Sequence, residues 1–439
     1  MFFQHRALGA RTESLVKAYY FALLGVANFL GWPSFYQEGL TPSFRWPLGI
    51  FDGTPLPTVQ IFCCLILILV CCLAGIWPRS QSFRILVFVA LFLMNAVANS
   101  AGATTHLYQF WLWSAFIMAT VPGRSKKITE RRFYYYLMLG WWGAQAIVLM
   151  FYGLSGFWKT VGLFEQIFKG EPNLLSASGL SYHLASEMLR TGSQPLLGPW
   201  LLKFQWFSPV LAIAVIVLQL SCLAALFRGG WLRRAVGIGL ILFHIGTYLF
   251  LAITYPTNVV LVGVLLATNS LPARRGRRFL AGLFRQRSWK LSYARSVCVV
   301  LVCYLAIALG TAVAAEGGEV FPFFNGHWFY KVPYELNDYS LLIQSLDGKE
   351  LNPPLYIEHL YPKLKAWPFA IYGALQTWGR HVTQNNSKAS SDRDFALQLI
   401  FKGRAFKCEL RQRRINTLDF VQTSGVLADR AMDSAESSK

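Results

Sequence analysis

Three ionisable side chains stand in sequence that is otherwise apolar: His106, Lys159 and His244. Lys159 ends the aromatic, glycine-bearing stretch Tyr152, Gly153, Leu154, Ser155, Gly156, Phe157, Trp158. An amine among apolar neighbours is poorly hydrated, and in its neutral form it is a base. The competing reading is a lysine whose stem snorkels while its ammonium rests among lipid headgroups. His106 (in TTHLYQFWLW) and His244 (in ILFHIGTYLF) carry ring nitrogens that exchange protons near neutral pH. Each also reads as a hydrogen-bonding residue, His106 beside Thr104 and Thr105, His244 between helices. Tyr152 and Trp158 flank the lysine and are candidates to pack against a cofactor ring. The sequence has no His, Cys, Asp or Glu cluster at metal-ligand spacing, no Gly-x-Ser-x-Gly and no phosphate-cradling glycine loop. No metal is therefore expected. Asp and Glu are missing from the apolar runs, which counts against a carboxylate relay of the kind transporters use.

The elements that must position these residues are apolar. Hydrophobic residues make up 54% of the 439 and charged residues only 14%, whereas soluble domains carry about a quarter charged residues. Runs of about 20 apolar residues suit a hydrocarbon core about 30 Å thick. Nine spans are expected, roughly 14–35, 58–76, 85–103, 105–121, 133–157, 204–227, 235–253, 257–271 and 296–314. The fourth and eighth are short enough to be tilted or re-entrant, and the third and fourth together read alternatively as one broken hairpin. The fold expected is an all-α polytopic membrane bundle of about 8–9 transmembrane helices, followed by a small α+β extracytoplasmic C-terminal domain.

The net charge of +20 is distributed in short blocks between the spans, with no nucleic-acid motif, so nucleic acid is not an expected partner. If residues 1–13 are cytoplasmic, the inner segments hold Arg6, Arg11, Arg79, Arg84, the block from Arg124 to Arg132, Arg228, Arg233, Arg234 and the run of Lys and Arg within 272–295. The outer connections hold Arg45, Lys159, Lys169, Arg190 and Lys203. This bias orients the chain with its N-terminus inside and its C-terminal domain outside. The basic segment 272–295 reads as an anchor or an interfacial helix touching anionic lipid headgroups.

The outer connection 159–203 is long, and long ordered loops often carry function. Beyond the last span, a domain is expected over 316–423, with a strand at Tyr339–Leu346 turning at Asp347-Gly348. Residues 365–382 read as an aromatic-rich helix, 395–413 as polar strands or an amphipathic helix, and 424–439 as a disordered tail. Cys408 alone falls in this domain, so no internal disulfide is expected there. The other cysteines lie within spans as apolar filler. No removable signal peptide is expected.

The order THLYQFWLWSAFI, YGLSGFWK, LFHIGTYLFLAITYPTN resembles the HTTM (horizontally transferred transmembrane) family, which includes the membrane portion of vitamin K-dependent gamma-carboxylase. The resemblance spans roughly 14–271. It implies that Lys159 is the base that deprotonates a reduced quinone of the vitamin K type, and that His106 supports the reaction. It implies further a peptide glutamate that captures carbon dioxide, and a bacterial cytoplasmic membrane. The sequence departs from the carboxylase after the fourth span, in MATVPGRSKK, and has less room for a peptide-holding domain. Lysine chemistry is thus the firmer implication. Two function classes follow: a quinone-linked membrane enzyme, or a non-catalytic maturation factor or scaffold for a secreted peptide or protein.

Overall fold

A computed structural model describes residues 2–30, 51, 54, 56–100, 108–125, 128–177, 179–181, 183–184, 195–228, 230–251, 253, 255–267, 289–314, 335–357, 375–376, 378–379, 382–383, 387, 389–390, 393–394, 396–397, 405–416 and 421–428. Among the described residues, ten α-helices precede a four-stranded sheet. They are α1 (Phe2–Leu30), α2 (Leu56–Ile76), α3 (Gln81–Ser100), α4 (Gln109–Ala119), α5 (Glu130–Phe168), α6 (Gly198–Lys203), α7 (Ser208–Phe227), α8 (Trp231–Leu251), α9 (Pro256–Val262) and α10 (Trp289–Ala314). A π-helical turn, Gly263–Ala267, continues α9. Among the described residues, four helical stretches are long and apolar enough to cross a membrane: Thr58–Ile76, Arg132–Phe168, Gln205–Phe227 and Trp231–Leu251. Shorter apolar helices cover Gln81–Val97, Gln109–Ala119, Pro256–Ala267 and Ser296–Ile307.

The bundle is organised on α5. Its 39 residues extend about 58 Å, nearly twice a hydrocarbon core. The helix begins where Thr129 Oγ1 accepts from Arg132 N, with Glu130 in the first turn, favourable for the exposed N–H groups and the positive helix end. It ends at Gly170, whose φ of 68° suits the left-handed position after a helix. Gly170 N there donates to Ile167 O at 3.1 Å and Glu171 N to Gln166 O at 2.9 Å. The first half of α5 packs on α1, α4 and α10, and the second half on α7. The α5–α7 pair runs antiparallel, with Gly153 against Leu223 and Gly156 against the backbone of Leu220. A small residue lets two backbones approach this closely, as membrane helices often require.

Polar side chains lock these helices in register. Trp111 Nε1 donates from α4 to Thr257 O of α9 at 3.0 Å, and Tyr19 of α1 bonds Ser114 of α4 at 2.8 Å. At the start of α8, buried Arg233 donates to Gln145 Oε1 at 2.7 Å, and to Ala225 O and Leu226 O at 3.0 Å each. Gln145 Nε2 donates in turn to Leu265 O, inside the π turn, at 2.6 Å. Arg84, fully buried in α3, donates to Met118 O, Pro78 O and Val121 O around the end of α4. Positive charge is favoured at a helix C-terminus, where carbonyls lack partners within the helix.

Several sequence expectations shift. The segment 1–13, expected as a cytoplasmic tail, is helical from Phe2, and Glu13 holds Arg79 through two bonds of 2.9 and 3.0 Å. Arg84 and Arg233, counted above among loop charges, are buried helical residues because nearby carbonyls and Gln145 accept their N–H groups. The last helix starts at Trp289, taking in residues assigned to the basic segment. Residues 268–288, 315–334 and 358–374 lie outside the described residues.

The sheet has the order β2-β1-β3-β4, all antiparallel, formed by β1 (Glu335–Leu346), β2 (Lys349–Tyr356), β3 (Phe406–Asn416) and β4 (Val421–Ala428). Asp347 (φ 52°) and Gly348 (φ 77°) turn the first hairpin, the two-residue geometry that favours Asp-Gly. One face pairs Leu341 with Leu410 and Ile343 with Cys408, and closes a separate core with Ile357, Leu375 and Trp378. Residues 424–428, expected as the start of a disordered tail, belong instead to β4, paired with β3. Ser424-Gly425 followed by Val426, Leu427 and Ala428 gives no alternating strand pattern. The neighbouring strand supplies the order.

A methyl group at Gly156 meets Gln219 Cβ at 2.8 Å and Leu220 N at 3.0 Å, whereas one at Gly25 meets nothing within 4 Å. Gly156→Ala is expected to cost about 1–3 kcal/mol by overpacking. Gly25→Ala is expected to be neutral or to gain about 0.5–1 kcal/mol. Thermal unfolding of the two variants in detergent compares them directly, and equal melting temperatures count against the α5–α7 packing.

Candidate functional site

Lys159 lies nine residues inside α5 and is buried, with 6% of its surface exposed. The sequence placed it at the end of a span. The helix continues because residues after it remain apolar on one side: Phe157, Val161, Phe164 and Phe168 form an exposed stripe at spacings of four, three and four. The opposite side carries Lys159, Leu163 and Gln166 inward. Gly156 is level with Leu220, and Leu163 packs with Ala212. Lys159, between Gly156 and Leu163, is therefore level with the middle of α7.

Its Nζ donates to Ser155 Oγ at 2.8 Å, one turn back. Helical side chains lean toward the N-terminus of their helix, so the Lys159 head group is carried away from the C-terminal end of α5. A snorkelling lysine extends the other way. The buried, inward-bonded side chain thus differs from the headgroup reading.

The chain after α5 folds back over this position. Leu175 N donates to Asn173 Oδ1 at 3.0 Å and Ser176 N to Asn173 O at 2.9 Å, forming a tight Asn-centred turn. Leu180 N then donates to buried Ser208 Oγ, at the start of α7, at 2.8 Å. Leu174 joins Leu163 and Ala212 in a small apolar cluster. These contacts seat His183, 4% exposed, close enough to feel the charge of Lys159. Burial, with Lys159 as a smaller cause, pushes His183 down from its ordinary 6.5 to about 3, so its ring is neutral over the physiological range.

Two turns earlier on α5, Tyr152 bonds His244 of α8 between its hydroxyl and Nε2 at 2.5 Å. Both are buried. Tyr152, Ser155 and Lys159 are spaced three and four residues apart and share one stripe of α5. Aromatic rings surround the pair: Phe110 meets Tyr152 edge-on at 5.3 Å, and Tyr255 meets His244 at 5.7 Å. Among the described residues, His244 Nδ1 and Gln219 Oε1 are buried without a hydrogen-bond partner. Gln219 lies on α7 against Gly156.

Of the residues singled out by sequence, the structure thus brings Tyr152 and His244 into contact and aligns Lys159 with them along α5. Trp158 is half-buried beside Phe157. His106 lies outside the described residues. No group of three or more His, Cys, Asp or Glu able to hold a metal occurs among the described residues. Sequence reasoning missed His183 and Gln219. His183 carries a faint signal, since Leu180, His183 and Leu184 have the three- and four-residue spacing of one helical face. Gln219, a single amide in an apolar run, becomes informative only once its level beside Gly156 is known.

A histidine buried neutral, with a folded value near 3 against 6.5, stabilises the fold fully above pH 6.5. That contribution falls as pH drops from 6.5 toward 3, because only the unfolded chain takes up the proton. The melting temperature of the wild type is expected to decline between pH 6.5 and 4, and His183→Gln to decline less steeply. Identical slopes for the two proteins count against the buried neutral ring.

Comparison of the chain with protein-family models, with curated proteins and with solved structures finds no match in any of the three.

Proposed function

We propose that the chain is a multi-pass membrane protein, crossing about eight or nine times with its N-terminus cytoplasmic, and that it is a quinone-linked enzyme whose base is Lys159. The single observation that carries this reading is a lysine buried halfway along a membrane-length helix pair, bonded inward to Ser155 and roofed by the segment bearing His183. Burying an ionisable group among apolar helices is costly, and such residues are functional candidates for that reason. The nine apolar runs and the inside bias of Lys and Arg support the crossing number and orientation. The resemblance to the HTTM family supports the choice of a quinone over other ligands.

The residues fit such a cofactor. The walls near Tyr152 are aromatic, the surroundings are apolar, and two buried polar atoms, on His244 and Gln219, have no partner among the described residues. A reduced quinone, when bound, supplies a hydroxyl that can give up a proton. Lys159 Nζ takes that proton and becomes an ammonium, which Ser155 Oγ is placed to accept from. The roof formed by Leu174, Leu180 and His183 keeps bulk water from competing for the proton. Trp158 and Tyr152 hold the ring. His106 completes the site in this proposal, as a residue that orients or protonates an oxygen.

A second reading is favoured by the sheet. Strand β4 has β3 as its neighbour and ends the order β2-β1-β3-β4, while β2 at the other edge carries Pro353 and Pro354. An edge without proline accepts an extended peptide as a further strand. On this reading the chain is a scaffold or maturation factor for a secreted peptide, and the sheet does the work.

Purification in mild detergent followed by mass spectrometry of bound lipids separates the two readings. The enzyme reading expects close to one quinone per chain in the wild type and loss of most of it in Lys159→Ala at unchanged melting temperature. The scaffold reading expects no quinone in either protein, and loss of the pathway's activity when residues 316–439 are removed.

A further inference from the structure

We infer that the Tyr152–His244 pair is a ligand subsite of its own, which binds an uncharged planar molecule through a carbonyl or hydroxyl oxygen at His244 Nδ1. The inference rests on the quinone reading for the ligand's class but not on Lys159 being the base. His244 is 5% exposed, and its Nδ1 has no hydrogen-bond partner among the described residues. A buried ring nitrogen left unpaired is costly, and lipid around α8 offers no water to relieve it. The other nitrogen, Nε2, is already committed to the Tyr152 hydroxyl at 2.5 Å. Nδ1 is thus the atom with unused bonding capacity.

The surroundings select the ligand's shape. Phe243, Tyr255 and Tyr152 pack their rings around the imidazole at centroid distances of 5.2, 5.7 and 5.7 Å. Phe110 adds a further edge against Tyr152 and stacks on Phe151 at 4.6 Å. Aromatic walls of this kind favour a flat ring by offset and edge contacts. A phenol and an imidazole together carry no net charge, so the subsite suits a neutral ligand.

The pair also explains how one subsite can meet two oxygen types. The hydrogen bond at one ring nitrogen sets the tautomer of the other. When Tyr152 donates to Nε2, Nδ1 carries the proton and donates to a carbonyl. When Nε2–H donates to the Tyr152 oxygen, Nδ1 accepts from a hydroxyl. Both forms keep the imidazole neutral and need only a tautomer change and rotation of the phenol O–H. A ligand that alternates between carbonyl and hydroxyl forms is therefore held in both.

Two isosteric substitutions test this on the full chain in phosphatidylcholine nanodiscs, with a tail-less naphthoquinone and its reduced form as probes. Asn places an amide where Nδ1 stands, and Gln places one where Nε2 stands. His244→Gln is expected to keep the Tyr152 contact and the melting temperature, and to weaken both probes about tenfold, the effect of about one hydrogen bond. His244→Asn is expected to bind both probes within about threefold of wild type. In ¹⁵N-histidine spectra of the wild type, the oxidised and reduced probes are expected to shift the Nδ1 signal in opposite directions. Unchanged binding in His244→Gln together with an unmoved Nδ1 signal overturns the inference, as does an Nδ1 signal that reports only a bound water. If Lys159→Ala loses the probe while His244→Gln does not, this inference fails and the Lys159 reading stands. If His244→Gln loses it and Lys159→Ala does not, the reverse holds, and no binding to the wild type removes both.

Discussion

A polar group inside a bundle of apolar helices has to find its hydrogen-bond partner in the protein, because lipid supplies none. Apolar contacts between such helices are poorly discriminating, since lipid tails are as apolar as the helices themselves. Register is therefore set by the few polar side chains. Gln145 joins Arg233 of α8 to the π turn, Trp111 reaches Thr257, and Tyr152 meets His244. Sliding any of these helices by one residue separates donors from acceptors that have no alternative.

The same constraint explains why α5 is so long and so central. It passes from a half-bundle of α1, α4 and α10 into a second contact region with α7, and carries a polar residue at each stage: Gln145, Tyr152, Ser155 and Lys159. The first of these serves architecture, since Gln145 donates to Leu265 O within the π turn. Lys159 donates to Ser155 Oγ one turn back on the same helix, a contact that by itself joins no second helix.

Much of the bundle was legible in the sequence. The apolar runs at 58–76, 204–227 and 235–253 match helices within a few residues, because length and hydropathy decide them locally. The Asp347-Gly348 turn was equally plain, since its backbone demands those residue types. Lys159 was recognised by type, while its burial within the protein was not read from the sequence. A charge reads as the end of a span unless the segment bearing His183 is known to come near it, and that segment lies beyond the end of the helix. Arg84 and Arg233 read as loop charges for the same reason, their acceptors being carbonyls that no sequence pattern advertises. Strand β4 was illegible because VQTSGVLA sets Ser424 and Gly425 between its β-branched residues and breaks any alternation, and pairing with β3 completes the strand.

The order of the chain has a consequence for how the protein is made. Lys159 precedes the segment that bears His183, and it precedes Gln219 of α7 by about 60 residues, roughly 3–12 s at ordinary elongation rates. During that interval α5 is complete while α7, which packs on it, is still being made. The first half of α5, already matched by α1 and α4, can dock at once and hold the helix while the rest emerges. The early helices thus act as a nursery for the later half of α5, and assembly proceeds from its N-terminal half toward its C-terminal half.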